Sequence, residues 1–205
     1  MVSLSALWLA GCSVFGDRSG YEAPDYAVLE RLGPETEVRR YAPRLVAEAT
    51  VQSEDPDAGR NAAFRLLFDY ISGKNQAAET ISMTVPVETA SGEKIAMTVP
   101  VETADTGETM SMRFFFPAGY TLQNAPIPLD SRVTIQEMPE TTVAVRTYSG
   151  STGDARLRRE QAALLDQLEG TAWKPSGDAT ALFYDPPWTL WFARRNEAVV
   201  PVKRM

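Results

Sequence analysis

Four large apolar side chains, Trp188, Leu190, Trp191 and Phe192, fall within five residues, directly after the turn sequence Asp185-Pro186-Pro187. A short connection needs fewer. They can pack under the loop, or they can meet an apolar ligand. A second set lies at 60–74. Phe64, Phe68 and Ile71 share one face of a helical spacing, with Arg60, Arg65 and Lys74 on its flanks. An apolar wall with cations at its edge suits an amphiphile carrying acidic groups, although the same helical face also suits an ordinary core.

What is missing limits the chemistry further. The chain has no histidine among its 205 residues. The commonest general base and the commonest metal ligand are therefore absent. A Ser–His–Asp hydrolase, a Cys–His protease and a His-ligated zinc site are excluded. No nucleophile–base pair is visible, so we expect a binding protein rather than an enzyme, and no metal site is assigned. In an enzyme built from this chain, proton transfer would fall to Glu, Asp, Tyr or Lys. The net charge of −7 repels phosphate backbones, so we expect no nucleic-acid partner.

The single cysteine, Cys12, cannot form an internal disulfide. It closes the run Leu4–Ala10, too short to span a bilayer and suited to the core of a secretory signal. Leu9-Ala10-Gly11-Cys12 resembles a bacterial lipobox, in which the cysteine is diacylated and becomes the new N-terminus. The resemblance implies a lipoprotein signal peptide over 1–12, a tether over 13–25 and a domain over 26–205. Ser13 after the cysteine implies sorting to the outer membrane, facing the periplasm.

The elements that must position these residues read in order. Tyr26–Leu32 and Glu37–Val51 are extended, with Pro43 marking an edge or a bulge. Asp55-Pro56-Asp57 starts a helix and Gly73 ends it. In Met110–Phe116, Met110, Met112, Phe114 and Phe116 share one face and Ser111, Arg113 and Phe115 the other. Val133–Met138 and Thr142–Tyr148 are strands. Residues 154–169 form a helix, with Leu157, Leu164, Leu165 and Leu168 as its apolar face. Ala179–Tyr184 and Glu197–Val202 close the chain as strands. This spells β-β-α-β-β twice, over 26–117 and 131–203. We expect an α+β fold, in which a pseudo-twofold repeat forms a distorted antiparallel β-barrel flanked by two helices.

A shorter duplication lies inside the first half. Ile81–Ala90 and Ile95–Ala104 differ only at Ser82 against Ala96. The two copies can pair as a hairpin, or one can fill the core slot while the other enlarges a loop. We favour Ile95–Val101 as the core strand, with the other copy a tolerated insertion.

Several stretches together resemble the SOUL/haem-binding protein family: Gly73–Gln76 after the helix, Ile95–Val101, Phe114–Pro117, Ser149-Gly150 and Tyr184–Val202. The last holds Tyr184-Asp185-Pro186-Pro187 and Arg194-Arg195-Asn196-Glu197. The resemblance covers about 26–203. It implies haem or another tetrapyrrole as cofactor, held in a groove between the first helix and the loop before the last strand. Candidate contacts are Arg60, Phe64, Arg65, Phe68, Ile71, Lys74, Trp188, Leu190 and Trp191. Without histidine, iron would turn to Met or Tyr, or the macrocycle would be held by apolar burial alone. Arg195 reads as structural, paired with an acid such as Glu197. A binder of other amphiphilic small molecules is the alternative.

Overall fold

The computed structural model describes residues 16, 18, 20–77, 92–105, 108–186 and 188–205. Cys12, the rest of the leader and the first duplicated copy, Ile81–Ala90, lie outside these residues. The chain divides into two compact units. One takes its described residues from 1–42, 99–102 and 140–205, the other from 43–98 and 103–139.

The strands are β1 (Tyr26–Arg31), β2 (Thr36–Tyr41), β3 (Arg44–Gln52), β4 (Asn75–Gln76), β5 (Val101–Asp105) and β6 (Thr109–Phe115). They continue with β7 (Ile127–Pro128), β8 (Val133–Met138), β9 (Thr141–Tyr148), β10 (Trp173–Pro175), β11 (Thr180–Phe183) and β12 (Asn196–Arg204). The helices are α1 (Pro56–Ile71) and α2 (Asp154–Leu168). The fold is α+β, and the second expected set is present as β8-β9-α2-β11-β12. In the first half the stretch expected as one extended segment, Glu37–Val51, breaks at Ala42-Pro43 into β2 and β3, so three strands precede α1. The short strands β4, β7 and β10 escape a periodicity reading because two or three residues carry no period.

In the first unit, β1 pairs with β2, β2 with β9, β9 with β12, and β12 with both β10 and β11, all antiparallel. Its core gathers Val38, Ala144, Tyr148, Leu164, Leu168, Trp173, Ala198, Val200 and Val202. The face of α2 differs from expectation. Leu165 is exposed and Glu160 is buried in line with Leu164 and Leu168. At about 100° per residue, position 160 lies roughly 40° from 164 on one side, while 165 lies roughly 100° from it on the other. Glu160 is tolerated there because Arg146 (2.9 Å) and Arg156 (2.8 Å) pair with it.

In the second unit, β3 is central, antiparallel to both β6 and β8, and α1 packs on β3 and β6. Asp55 caps α1, accepting from Asp57 N (2.9 Å) and Ala58 N (3.3 Å) with Pro56 in the first turn. Gly73, at φ 111°, ends it. Met110, Met112 and Phe114 face inward as expected, but Phe115 is buried as well, at the end of its strand.

The strand expected over Ile95–Val101 starts later, at Val101. Residues 95–100 form an irregular segment held by point contacts. Ile95 N donates to Ile71 O (2.9 Å), and Thr98 Oγ1 donates to Phe115 O (2.6 Å). Ile95, Thr98, Val99 and Pro100 are all buried. Pro100 interrupts the ladder pattern until the next residue. Just upstream, buried Asn75 donates to Tyr70 O (2.7 Å) and Glu93 O (2.8 Å) and accepts from Glu93 N (2.8 Å). This clamp presses the two backbones together. A Cβ on Gly92 would lie 1.7 Å from Gly73 O. Fourteen positions earlier, the sequence has Ala78. A segment with alanine at that place does not fit this backbone, so Gly92 assigns the slot to the second copy.

Candidate functional site

In the first unit the segment 184–195 turns between β11 and β12 and is fixed from below. The Asp185 side chain is almost fully buried. It accepts from Arg18 Nη2 (2.7 Å), Arg18 Nε (3.2 Å) and Arg195 N (2.7 Å). Arg18 Nη2 also donates to Ala193 O (3.0 Å). Arg194 Nε donates to Thr189 O (2.8 Å), Thr189 N to Pro186 O (3.0 Å), and Ala193 N to Leu190 O (2.9 Å). Thr189 is buried. A 3-10 turn covers Trp191–Ala193.

These bonds fix the base of the loop, while its large side chains stay exposed. Trp188 and Trp191 are each 66% exposed, Phe192 is 56% exposed, and Leu190 is exposed too. Trp191 and Phe192 meet edge to face at 5.7 Å. Packing beneath the loop therefore does not account for them.

Beneath this turn lies a buried ionic network. Glu197 is fully buried, with Arg39 Nη1 at 3.1 and 3.0 Å from its two oxygens. Arg195 donates to Glu197 Oε1 from Nη2 (2.6 Å) and Nε (3.1 Å), and Tyr184 OH donates to Oε2 (2.8 Å). Arg39 Nε also donates to Glu37 (2.9 Å). Burial is the largest single influence and lowers both guanidiniums, but Glu197 together with Tyr41 and Glu37 at Arg39, and with Tyr184 and Tyr26 at Arg195, outweighs it, and both are held above the ordinary value. Burial first, and then the Glu197 charge, raise Tyr184 and Tyr41. The expected Arg195–Glu197 pair is thus present. Arg39 and Arg18 were missed, because their partners lie 158 and 167 residues away. The one available signal for Arg39 was a charge at an inward position of an alternating strand.

In the second unit α1 turns Leu67, Tyr70 and Ile71 inward, and Tyr70 OH donates to Pro126 O (2.7 Å). Phe64 and Phe68 stand outside that core. They stack at 5.9 Å and 16°, with Phe68 48% exposed, and Phe64 also meets Phe114 edge-on at 5.6 Å. Arg60 pairs with Asp57 (2.8 Å), Lys74 pairs with Asp69 (2.8 Å), and Arg65 is exposed. Within this unit Phe64 and Phe68 come together as one apolar surface, while Ile71 belongs to the core. Trp188, Leu190 and Trp191 lie exposed on one loop of the other unit.

Aromatic faces of this kind fit a flat macrocycle. The iron ligands on offer fit less well. Met97 is half-buried in the irregular segment 95–100, Met110 and Met112 are buried in the second unit's core, and Met83 lies outside the described residues. Among the described residues no cluster of His, Cys, Asp and Glu could hold a metal ion.

Comparison with known proteins gives a consistent result. The profile of the family described as SOUL heme-binding protein matches residues 21–201. The chain is 28% identical to human Heme-binding protein 2 over 188 residues, covering 86% of this chain and 87% of that protein. It is 26% identical to the Mus musculus protein of the same name, covering 89% and 90%. Among solved structures, the EcmrR C-terminal domain aligns with a TM-score of 0.59 at 12% identity, covering 83% of this chain and 98% of that one. A hydrolase from Listeria innocua aligns at 0.53 and 12%, covering 82% and 92%. At such identity these structures share the fold and nothing more. The family profile spans nearly the whole described chain, and the protein belongs to the SOUL heme-binding protein family.

Proposed function

We propose that this protein binds haem or a related tetrapyrrole by apolar burial, without imidazole ligation, as a sequestering or carrier protein rather than an enzyme. It does so as a lipid-anchored periplasmic domain, tethered through Cys12 to the outer membrane. The observation that carries the reading is the rigidly based turn that holds Trp188, Leu190 and Trp191 in solvent. A separate apolar surface in the other unit is the stacked pair Phe64 and Phe68, on the helix that carries Arg60 and Arg65 and is followed by Lys74. Membership of the family supports the ligand class, and the absence of histidine supports binding without imidazole. The chain's own residues shelter the macrocycle from water and pair its acidic edge. The bound group would supply any redox chemistry.

The test is hemin titration of single variants, followed in the Soret band. Burying one aromatic side chain is worth roughly 1.5–3 kcal/mol, so Trp188→Ala and Phe68→Ala should each weaken binding about tenfold or more. Unchanged affinity in both variants would place the site elsewhere. A saturable response to non-porphyrin amphiphiles alone would favour the alternative ligand class.

A further inference from the structure

We propose that the 186–193 loop is also a membrane-contact surface, seating Trp188, Trp191 and Phe192 in the interfacial zone of a lipid bilayer. The proposed anchor at Cys12 enters only in placing the loop near the membrane; the loop's own composition and exposure stand apart from it.

Three observations converge on this loop. First, the sequence Pro186–Ala193 contains no charged residue, yet its two Trp and one Phe are more than half exposed. Trp in particular favours the headgroup level, where its ring meets acyl chains and its N–H stays hydrated. Second, the loop's base is closed by Asp185, Arg18, Arg194 and Thr189, so the amides of Thr189 and Ala193 and the carbonyls of Pro186, Thr189, Leu190 and Ala193 are bonded before it meets lipid. Each bond made inside the loop is one fewer bare group to carry toward hydrocarbon.

Third, the N-terminal segment runs against the same loop. Gly16 has φ 78°, and a Cβ there would lie 2.6 Å from Ala193 O. Arg18, two residues on, is bonded to that carbonyl and to Asp185. Cys12 lies four positions before Gly16. Fully extended, those residues reach about 14 Å. A lipid on Cys12 therefore holds this loop, rather than some other face of its unit, within reach of the bilayer surface. The chain's net charge of −7 disfavours an anionic surface, so the contact is apolar and insensitive to salt. Such a loop would also meet a tetrapyrrole where that amphiphile collects, at the membrane itself.

The experiment uses the full chain with Cys12→Ser and Trp8→Phe, so that no acyl group is present and the leader's own Trp is silent. Two of the three remaining Trp residues then lie in the loop, and Trp173 is buried. The protein is mixed with phosphatidylcholine vesicles brominated on one acyl chain near the headgroup, and Trp emission is read. The expected result is a clear fall in emission, as interfacial Trp requires, unchanged by salt and seen for each loop Trp when the other is replaced (Trp188→Phe or Trp191→Phe). Emission that brominated vesicles leave unchanged overturns the proposal, whether the chain stays unbound or binds with the loop in water. The anchor is tested separately by the mass of the Cys12 protein from membranes, and ligand binding by hemin titration without vesicles. Either can fail while the quenching result stands.

Discussion

Glu197 holds the ionic centre of the first unit. It is fully buried and accepts from Arg39, Arg195 and Tyr184. Replacing it with Ala would leave two guanidiniums without their shared counter-charge in a dry site. Breaking such a pair costs about 3–5 kcal/mol. Urea unfolding of Glu197→Ala should show a loss of that order, and a change below about 0.5 kcal/mol would mean the network is solvated. The tyrosines make a second prediction. Tyr120 donates to Glu93 Oε1 (2.6 Å), and that bond, more than burial, raises its pKa to about 12. Its folded value lies above its unfolded one. Its contribution to stability is therefore complete below about pH 10 and is lost as pH rises through about 12. Burial raises Tyr41, Tyr70 and Tyr184 in the same direction. An alkaline titration read by tyrosinate absorbance should show these groups ionising together with the loss of circular dichroism. Stepwise ionisation near pH 10 in a chain that stays folded would contradict the burial.

At the scale of elements, the duplicated segment gives the sharpest test. Gly92→Ala places a methyl group where Gly73 O already sits. Overpacking of this kind costs about 1–3 kcal/mol or more, while Gly20→Ala, with open space around it, should be neutral. Equal melting temperatures for the two variants would mean that position 92 does not set the slot. Most long elements were legible in the sequence because period and caps agree, but Glu37–Val51 read as one stretch and is broken at Ala42-Pro43 into β2 and β3. Asp55-Pro56 opens α1, Gly73 closes it, and alternation marks β6, β8 and β9. What failed was local. Leu165 matched the α2 stripe by type and missed it by angle, and Pro100 delayed β5 to Val101. The apolar cluster of 188–192 was legible as excess. Its exposure was not, because the bonds that close its base from below reach back to Arg18 across the whole chain.

At the scale of the molecule, one chain combines a family fold with the absence of histidine. The proposed function holds a tetrapyrrole by apolar contact, with iron contributing little. The direct measurement is a paired Soret titration of the full chain with hemin and with metal-free protoporphyrin. Binding of this kind should saturate with both, with dissociation constants within about tenfold of each other, since no strong axial bond separates them. A chain that saturates with neither, or that binds hemin alone, contradicts it.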